Sequence, residues 1–113
     1  MSCYVDPAVH PFGRMIMCHL WADSLDELLV MVDRIGVDRK WIQGHPTLSF
    51  GNHRHASWVH FDIAKSKRAL AVAAGAIETD RYGPVRHVAS LRASSADPAI
   101  AAIGRKMLER LDG

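Results

Sequence analysis

"WADSLDELLVMVDRIG", residues 21–36, is the stretch on which the fold turns. Ser24-x-x-Glu27 has the spacing of a capping box: the serine hydroxyl accepts a helix N–H, and the glutamate reaches back to the cap. Leu25, Leu28, Leu29, Val32 and Ile35 follow at helical spacing. Gly36 stands where a left-handed C′ residue costs least. The stretch predicts an amphipathic helix over 25–35.

Upstream, "CYV" (3–5) is a short β-prone run ending at the turn signal Asp6-Pro7, and "MIMCHLW" (15–21) reads as a strand. Downstream, "KWIQ" (40–43) reads as a strand, and residues 44–57, rich in Gly, Pro, Asn and Ser, read as a loop. "WVHF" (58–61) is extended. Asp62 then caps a second helix, with Ile63, Leu70 and Ala73 as inner positions and Gly75 as the stop. "AIET" (76–79) is a third strand, and "PVRHVASL" (84–91) reads as an edge strand because Pro84 cannot donate to a ladder. Asp97-Pro98 opens a last helix with Ile100, Ile103, Met107 and Leu111 as its inner stripe. The β-α-β-α-β order over 3–79 implies crossovers between parallel strands. The expected fold is one small α/β domain of two or three layers. Its mixed, mostly parallel sheet has three to five strands, with an added C-terminal helix.

The 113 residues suit one domain, and 49% hydrophobic residues suffice for a core. A net charge of +2 is too small to imply nucleic-acid binding from field strength alone. Apolar runs fall far short of a membrane span. The first ten residues carry neither a basic region nor an apolar one, so a cytoplasmic protein with reduced thiols is expected. Cys3 and Cys18 read as small buried hydrophobes. P-loop, dinucleotide-fingerprint and nucleophile-elbow motifs are all absent.

Ligands of open α/β sheets bind beyond the carboxyl ends of the strands. That rule gathers Asp6, His19, Asp23, Gln43, His60 and Asp62 on one rim. Lys65, Lys67 and Arg68 fall in the first turns of the second helix, whose N-terminus is an anion site. Capping alone explains Asp62, dipole complementarity alone explains Asp23, and a solvated face explains Lys65 and Lys67. Arg68 is less easily dismissed, since a guanidinium suits bidentate phosphate binding. His53-x-His55 and His60-x-Asp62 each put two metal-ligand types on one side of an extended chain, and His45 and His19 add to the set. Such ligands suit zinc, manganese or iron. The subset His19, His60 and Asp62 is preferred because it flanks regular elements.

"YVD" (4–6), "GRMIMCHLWADSLDEL" (13–28), "RIGVDRKWIQ" (34–43) and "HFDIAKSKRALAVAAGAIE" (60–78) resemble a small bacterial and phage family, the domain of unknown function numbered four thousand and thirty-one. The likeness covers roughly two thirds of the chain, residues 3–79. It adds weight to Asp6, His19, Asp23, His60, Asp62, Lys67 and Arg68, and none to His45, His53 or His55. Phe61 stands where the family pattern has tyrosine, which removes a hydroxyl. The family name implies no activity. In some longer proteins a domain of this kind accompanies a metal-dependent phosphohydrolase domain, which points to nucleotide chemistry.

Three functions follow as expectations. The first is a phosphate-ester hydrolase acting on a nucleotide or nucleic acid with a divalent metal ion as cofactor. In it His19, His60 and Asp62 hold the metal or shuttle protons, and Lys67, Arg68, Asp6 and Asp23 bind substrate. The second is a non-catalytic nucleotide- or nucleic-acid-binding module, with Trp21, Trp41 and Trp58 as candidate stacking surfaces. The third is a phage or host interaction protein. The sequence sets neither the substrate nor an oligomeric state.

Overall fold

The structure is a computed structural model that describes residues 2–112. Contacts divide the chain into two compact units, residues 1–79 and 80–113. In the first unit β1 (Cys3–Val5), β2 (His10–Phe12), β3 (Met15–Ala22), β4 (Phe61–Ala64) and β5 (Ile77–Glu78) form a five-stranded mixed sheet. Helices α1 (Leu25–Ile35) and α2 (Lys65–Ala73) accompany it. The expected α/β class and mixed sheet are found.

The balance of strand directions differs from expectation. Among the described residues only β1 and β5 pair parallel; β1–β3, β2–β3 and β3–β4 are antiparallel. Two local features cause this. Gly13-Arg14 makes a two-residue hairpin between β2 and β3, which forces those strands antiparallel. "KWIQ" is not a strand either: Asp38 accepts the Lys40 N–H at 2.9 Å and nucleates a short 3-10 turn over Arg39–Trp41. Only Gln43 then meets an extended partner, as a single bridge to His60. The strand that reaches β3 is therefore β4, arriving antiparallel.

The 25–35 helix forms as the sequence requires. Ser24 Oγ accepts the Glu27 N–H at 3.2 Å, and Gly36 closes the helix at φ 77°. The Val37 N–H bonds to the Val32 carbonyl at 2.8 Å, completing the Schellman motif. The reciprocal half of the capping box is not made, because the Glu27 carboxylate has no hydrogen bond among the described residues. Leu28, Val32 and Ile35 of α1 and Ala71 of α2 cover one sheet face. They bury Cys3, Val5, Cys18, Leu20, Phe61 and Ile63 together with Ile42. Burying each large apolar side chain there contributes about 1.5–3 kcal/mol.

Asp62 is not a helix cap. It lies inside β4, paired with His19, and α2 begins three residues later with Ala64 at its N-cap. The ladder to β3 extends the strand through Ala64 and shifts the helix register. Ile63 is consequently a core strand residue, Leu70 and Ala73 are exposed, and Ala71 points inward.

In the second unit, residues 84–91 are helical rather than a strand. Pro84 stands in the first turn of α3 (Gly83–Ala93), the other position where a missing N–H costs nothing. It packs with α4 (Pro98–Asp112), where Asp97 accepts the Ala99 N–H at 2.9 Å. The inner stripe of α4 also differs from expectation. Ala101 and Gly104 are buried, Met107 and Leu111 are half-buried, and Ile100 and Ile103 are exposed. Close approach selects the small residues, since a Cβ on Gly104 would collide with the Ala93 backbone of α3. Among the described residues no helix is long and apolar enough to cross a membrane.

Candidate functional site

Side chains alternate along β3. Cys18 and Leu20 enter the helix-covered core, so Met17, His19 and Trp21 occupy the opposite face. The register places Asp62 directly across from His19, and His60, two residues before Asp62, shares its face. His19, His60 and Asp62 thus meet on the sheet face opposite the α1–α2 core, mid-strand, and not on the rim beyond the strand ends. Each offers one ligand atom, and the three atoms lie within 4.8 Å of one another. His60 Nε2 is 3.4 Å and His19 Nε2 3.8 Å from Asp62 Oδ1.

The other atoms of these side chains are already engaged. The chain between β1 and β2 runs opposite Cys18 and His19, which brings Asp6 against His19. The buried Asp6 carboxylate accepts the His19 backbone N–H and the His19 Nδ1–H, both at 2.7 Å. His60 Nδ1 is 3.0 Å from the Trp58 carbonyl, which can only accept, so Nδ1 carries the proton. Gln43 Nε2 donates to Asp62 Oδ2 at 2.6 Å, leaving Oδ1 to face the two histidines. Gln43 is itself fixed by its two-way backbone bridge to His60, 2.9 and 3.1 Å. Both imidazoles therefore present Nε2 to one carboxylate oxygen.

The Asp6 hydrogen bond raises the His19 pKa above its ordinary value, outweighing burial, which acts the other way. Burial pushes the Asp62 carboxyl up, but hydrogen bonds from His60, in its imidazolium form, and from Gln43, with the charge of the two protonated imidazoles, hold it below the usual range. Cys18 is no part of this chemistry: burial pushes its thiol up to about 12.

Rings surround the cluster. Trp58 stacks on His60 at 4.2 Å between centroids and 13° between planes, and His10 meets His19 edge-on at 4.9 Å. Trp21 is buried beside Trp58, whereas Trp41 is 46% exposed. A cleft of about 580 Å3 opens from His19 and Asp62 towards Phe12, Met15, Trp41 and His53.

The remaining residues singled out from the sequence lie elsewhere. Asp23, beyond the far end of β3, accepts from the Tyr4 hydroxyl at 3.0 Å and from the Ser2 N–H at 2.8 Å. The Lys67 ammonium lies near Gly36 at the C-terminus of α1, so that a Cβ there would come within 3.2 Å of it. Arg68 Nε donates to the Asp6 carbonyl and Nη1 to Glu78, at 2.8 and 2.9 Å. Lys65 is exposed. His45 accepts the Leu48 N–H at 3.0 Å within a turn, and His53 packs on Trp41 and Phe50. Neither they nor His55 join a metal-ligand group among the described residues.

His10 is brought in by tertiary structure, and Asp6, His10 and His19 form a second ligand-type group. That group is tied internally by the Asp6–His19 hydrogen bond, so Asp6 acts there as an acceptor that orients His19. The signal for His10 was the Gly13-Arg14 turn, which sets the register His10 to Met17 and hence the approach to His19.

No curated protein and no solved structure matches the chain. Residues 3–92 match the model of a family described as "Protein of unknown function (DUF4031)". That stretch carries the entire His19–His60–Asp62 face and its supports, and the chain belongs to that family.

Proposed function

We propose that His19, His60 and Asp62 hold a divalent metal ion, and that the protein uses it to hydrolyse a phosphate ester of a nucleotide or nucleic acid. The observation that carries this reading is the convergence of Nε2, Nε2 and Oδ1, with both Nδ1 atoms already bound to acceptors. Two nitrogen lone pairs facing one carboxylate oxygen repel it unless a proton or a cation lies between. Ligand bonds of about 2.1 Å in tetrahedral array put donor atoms about 3.4 Å apart, close to the 3.4 and 3.8 Å found here. Two histidines and one carboxylate leave coordination positions for water and substrate.

Such an ion, when bound, acidifies a coordinated water and offsets charge on a phosphoryl group. The chain's own residues do the rest. Asp6 and the Trp58 carbonyl hold the imidazoles in the Nδ1–H tautomer, and Gln43 fixes the carboxylate. His10 lines the same cleft and can donate a proton to the leaving alkoxide. Arg68 supports Asp6 from behind through its carbonyl. Lys67 and Asp23 stand outside this reading. The buried free thiols of Cys3 and Cys18 suit a cytoplasmic setting.

The test is metal titration of EDTA-treated protein with Zn2+ and Mn2+, paired with hydrolysis of bis(p-nitrophenyl) phosphate. The expected result is one ion per chain and chelator-sensitive turnover. His60→Ala and Asp62→Asn should lose both, and His45→Ala neither. Absence of metal uptake by the wild-type chain would reject the reading. A second reading, a nucleotide-binding module without turnover, is favoured by the exposed Trp41 and Phe50 rings 5.7 Å apart. Nucleotide binding without hydrolysis would select it.

A further inference from the structure

The cleft extends well beyond the ligand cluster. Its volume, about 580 Å3, is in the range of small-molecule sites. Its lining combines the polar His10, His19, Gln43, His53 and Asp62 with the apolar Phe12, Met15 and Trp41. Phe12 and Trp41 are 69% and 46% exposed, so both rings can be reached by a ligand in the cleft. Trp41 packs against Phe50 and His53, at centroid distances of 5.7 and 6.0 Å. The Lys40 ammonium lies over one face of the Trp41 ring, 5.1 Å from its centre, which leaves the other face for stacking. A packed aromatic plate, a second exposed ring, a nearby cation and a set of metal-ligand atoms match a ligand with a planar apolar group and a phosphate.

We propose that this cleft binds the base of a nucleotide on Trp41, with Phe12 covering it, while the phosphate reaches His19 and Asp62. The proposal rests on the reading of the His19–His60–Asp62 cluster as a metal centre, and it names the substrate class: base-bearing phosphate esters rather than sugar phosphates. Trp21 and Trp58 take no part, being buried and stacked on His60 respectively.

The experiment compares adenosine monophosphate with ribose 5-phosphate in calorimetry on Mn2+-loaded protein. Adenosine is also added alone to EDTA-treated protein, with tryptophan fluorescence as the readout. Base stacking should make adenosine monophosphate bind about tenfold or more tighter than ribose 5-phosphate. Adenosine should quench fluorescence even without metal. Trp41→Ala should remove both effects, Trp41→Phe should keep most of the affinity difference, and Phe12→Ala, at an exposed position, should weaken it. Metal uptake should be unchanged in all three variants. Equal affinity for the two phosphates in wild type, or an undiminished difference in Trp41→Ala, would overturn the proposal. Failure of the metal reading appears separately, as absent Mn2+ uptake before any nucleotide is added; adenosine quenching lost in Trp41→Ala would still uphold the base site.

Discussion

Replacing Asp6 with asparagine should disable the centre without altering any ligand. The carboxylate is an acceptor only, and it serves two donors, the backbone N–H and the Nδ1–H of His19, each at 2.7 Å. Asparagine has one acceptor oxygen and one donor NH2. The backbone N–H cannot change its role, so the oxygen stays with it and the NH2 turns to Nδ1. The ring must then accept at Nδ1 and carry its proton on Nε2, the atom directed at Asp62. The opposite amide orientation would set two donors against each other at a site only 2% exposed, where no bulk water can intervene. A buried clash of that kind costs about 1–3 kcal/mol, so the first arrangement is preferred. A ligand nitrogen bearing a proton cannot bind metal. Losses at such supporting positions are about 10–100-fold in metal affinity, or about 1.4–2.8 kcal/mol. Calorimetric titration with Zn2+ measures the affinity, and two-bond 1H–15N correlation in EDTA reads the His19 tautomer. Affinity within about twofold of wild type, or an unchanged Nδ1–H tautomer in Asp6→Asn, would refute the reasoning.

Two other predictions concern the supports of the site. Gly44 has φ 78°, and a Cβ there would run into the Trp58 carbonyl. Gly44→Ala should therefore push apart the segments carrying Gln43 and Trp58. Metal affinity should fall at least as far as in Gln43→Leu, while circular dichroism stays that of a folded chain; unaltered affinity would show that the close approach does not matter. The pH dependence follows from the His19 and Asp62 shifts. The raised His19 pKa contributes stability that is full below the unfolded value near 6.5 and is lost as pH rises through the folded value. The lowered Asp62 pKa contributes stability above about 3.9 that is lost as pH falls through its folded value. In EDTA, the melting-temperature advantage of wild type over Asp6→Asn should shrink from pH 6 to pH 9, and an advantage that grows over that interval contradicts the sign.

What the sequence determined by itself was whatever its local chemistry could specify. Ser24 and Gly36 bound a helix because a cap and a left-handed stop act within one turn of their partners. His60 and Asp62 share a face because extended chain alternates with period two, whatever it pairs with. The likeness over residues 3–79 also singled out Asp6, His19, His60 and Asp62, which tertiary structure brings together. Where a residue's surroundings come from distant chain, local pattern misleads. Asp62 has the look of a cap, but hydrogen bonds from β3 keep it in a strand. Pro84 suits either an edge strand or a first helical turn, and packing of α3 with Gly104 selects the helix. The partner of Arg68 Nε, the Asp6 carbonyl, comes from 62 residues away and is not legible from local pattern. The two-residue hairpin and the single Gln43–His60 bridge replaced parallel crossovers with antiparallel pairing. That change moved His19, His60 and Asp62 from the strand ends to the sheet face opposite the α1–α2 core. Ladder register is a property of two segments at once, so only the tertiary structure could decide that His10 and Gln43 stand beside His19 and Asp62.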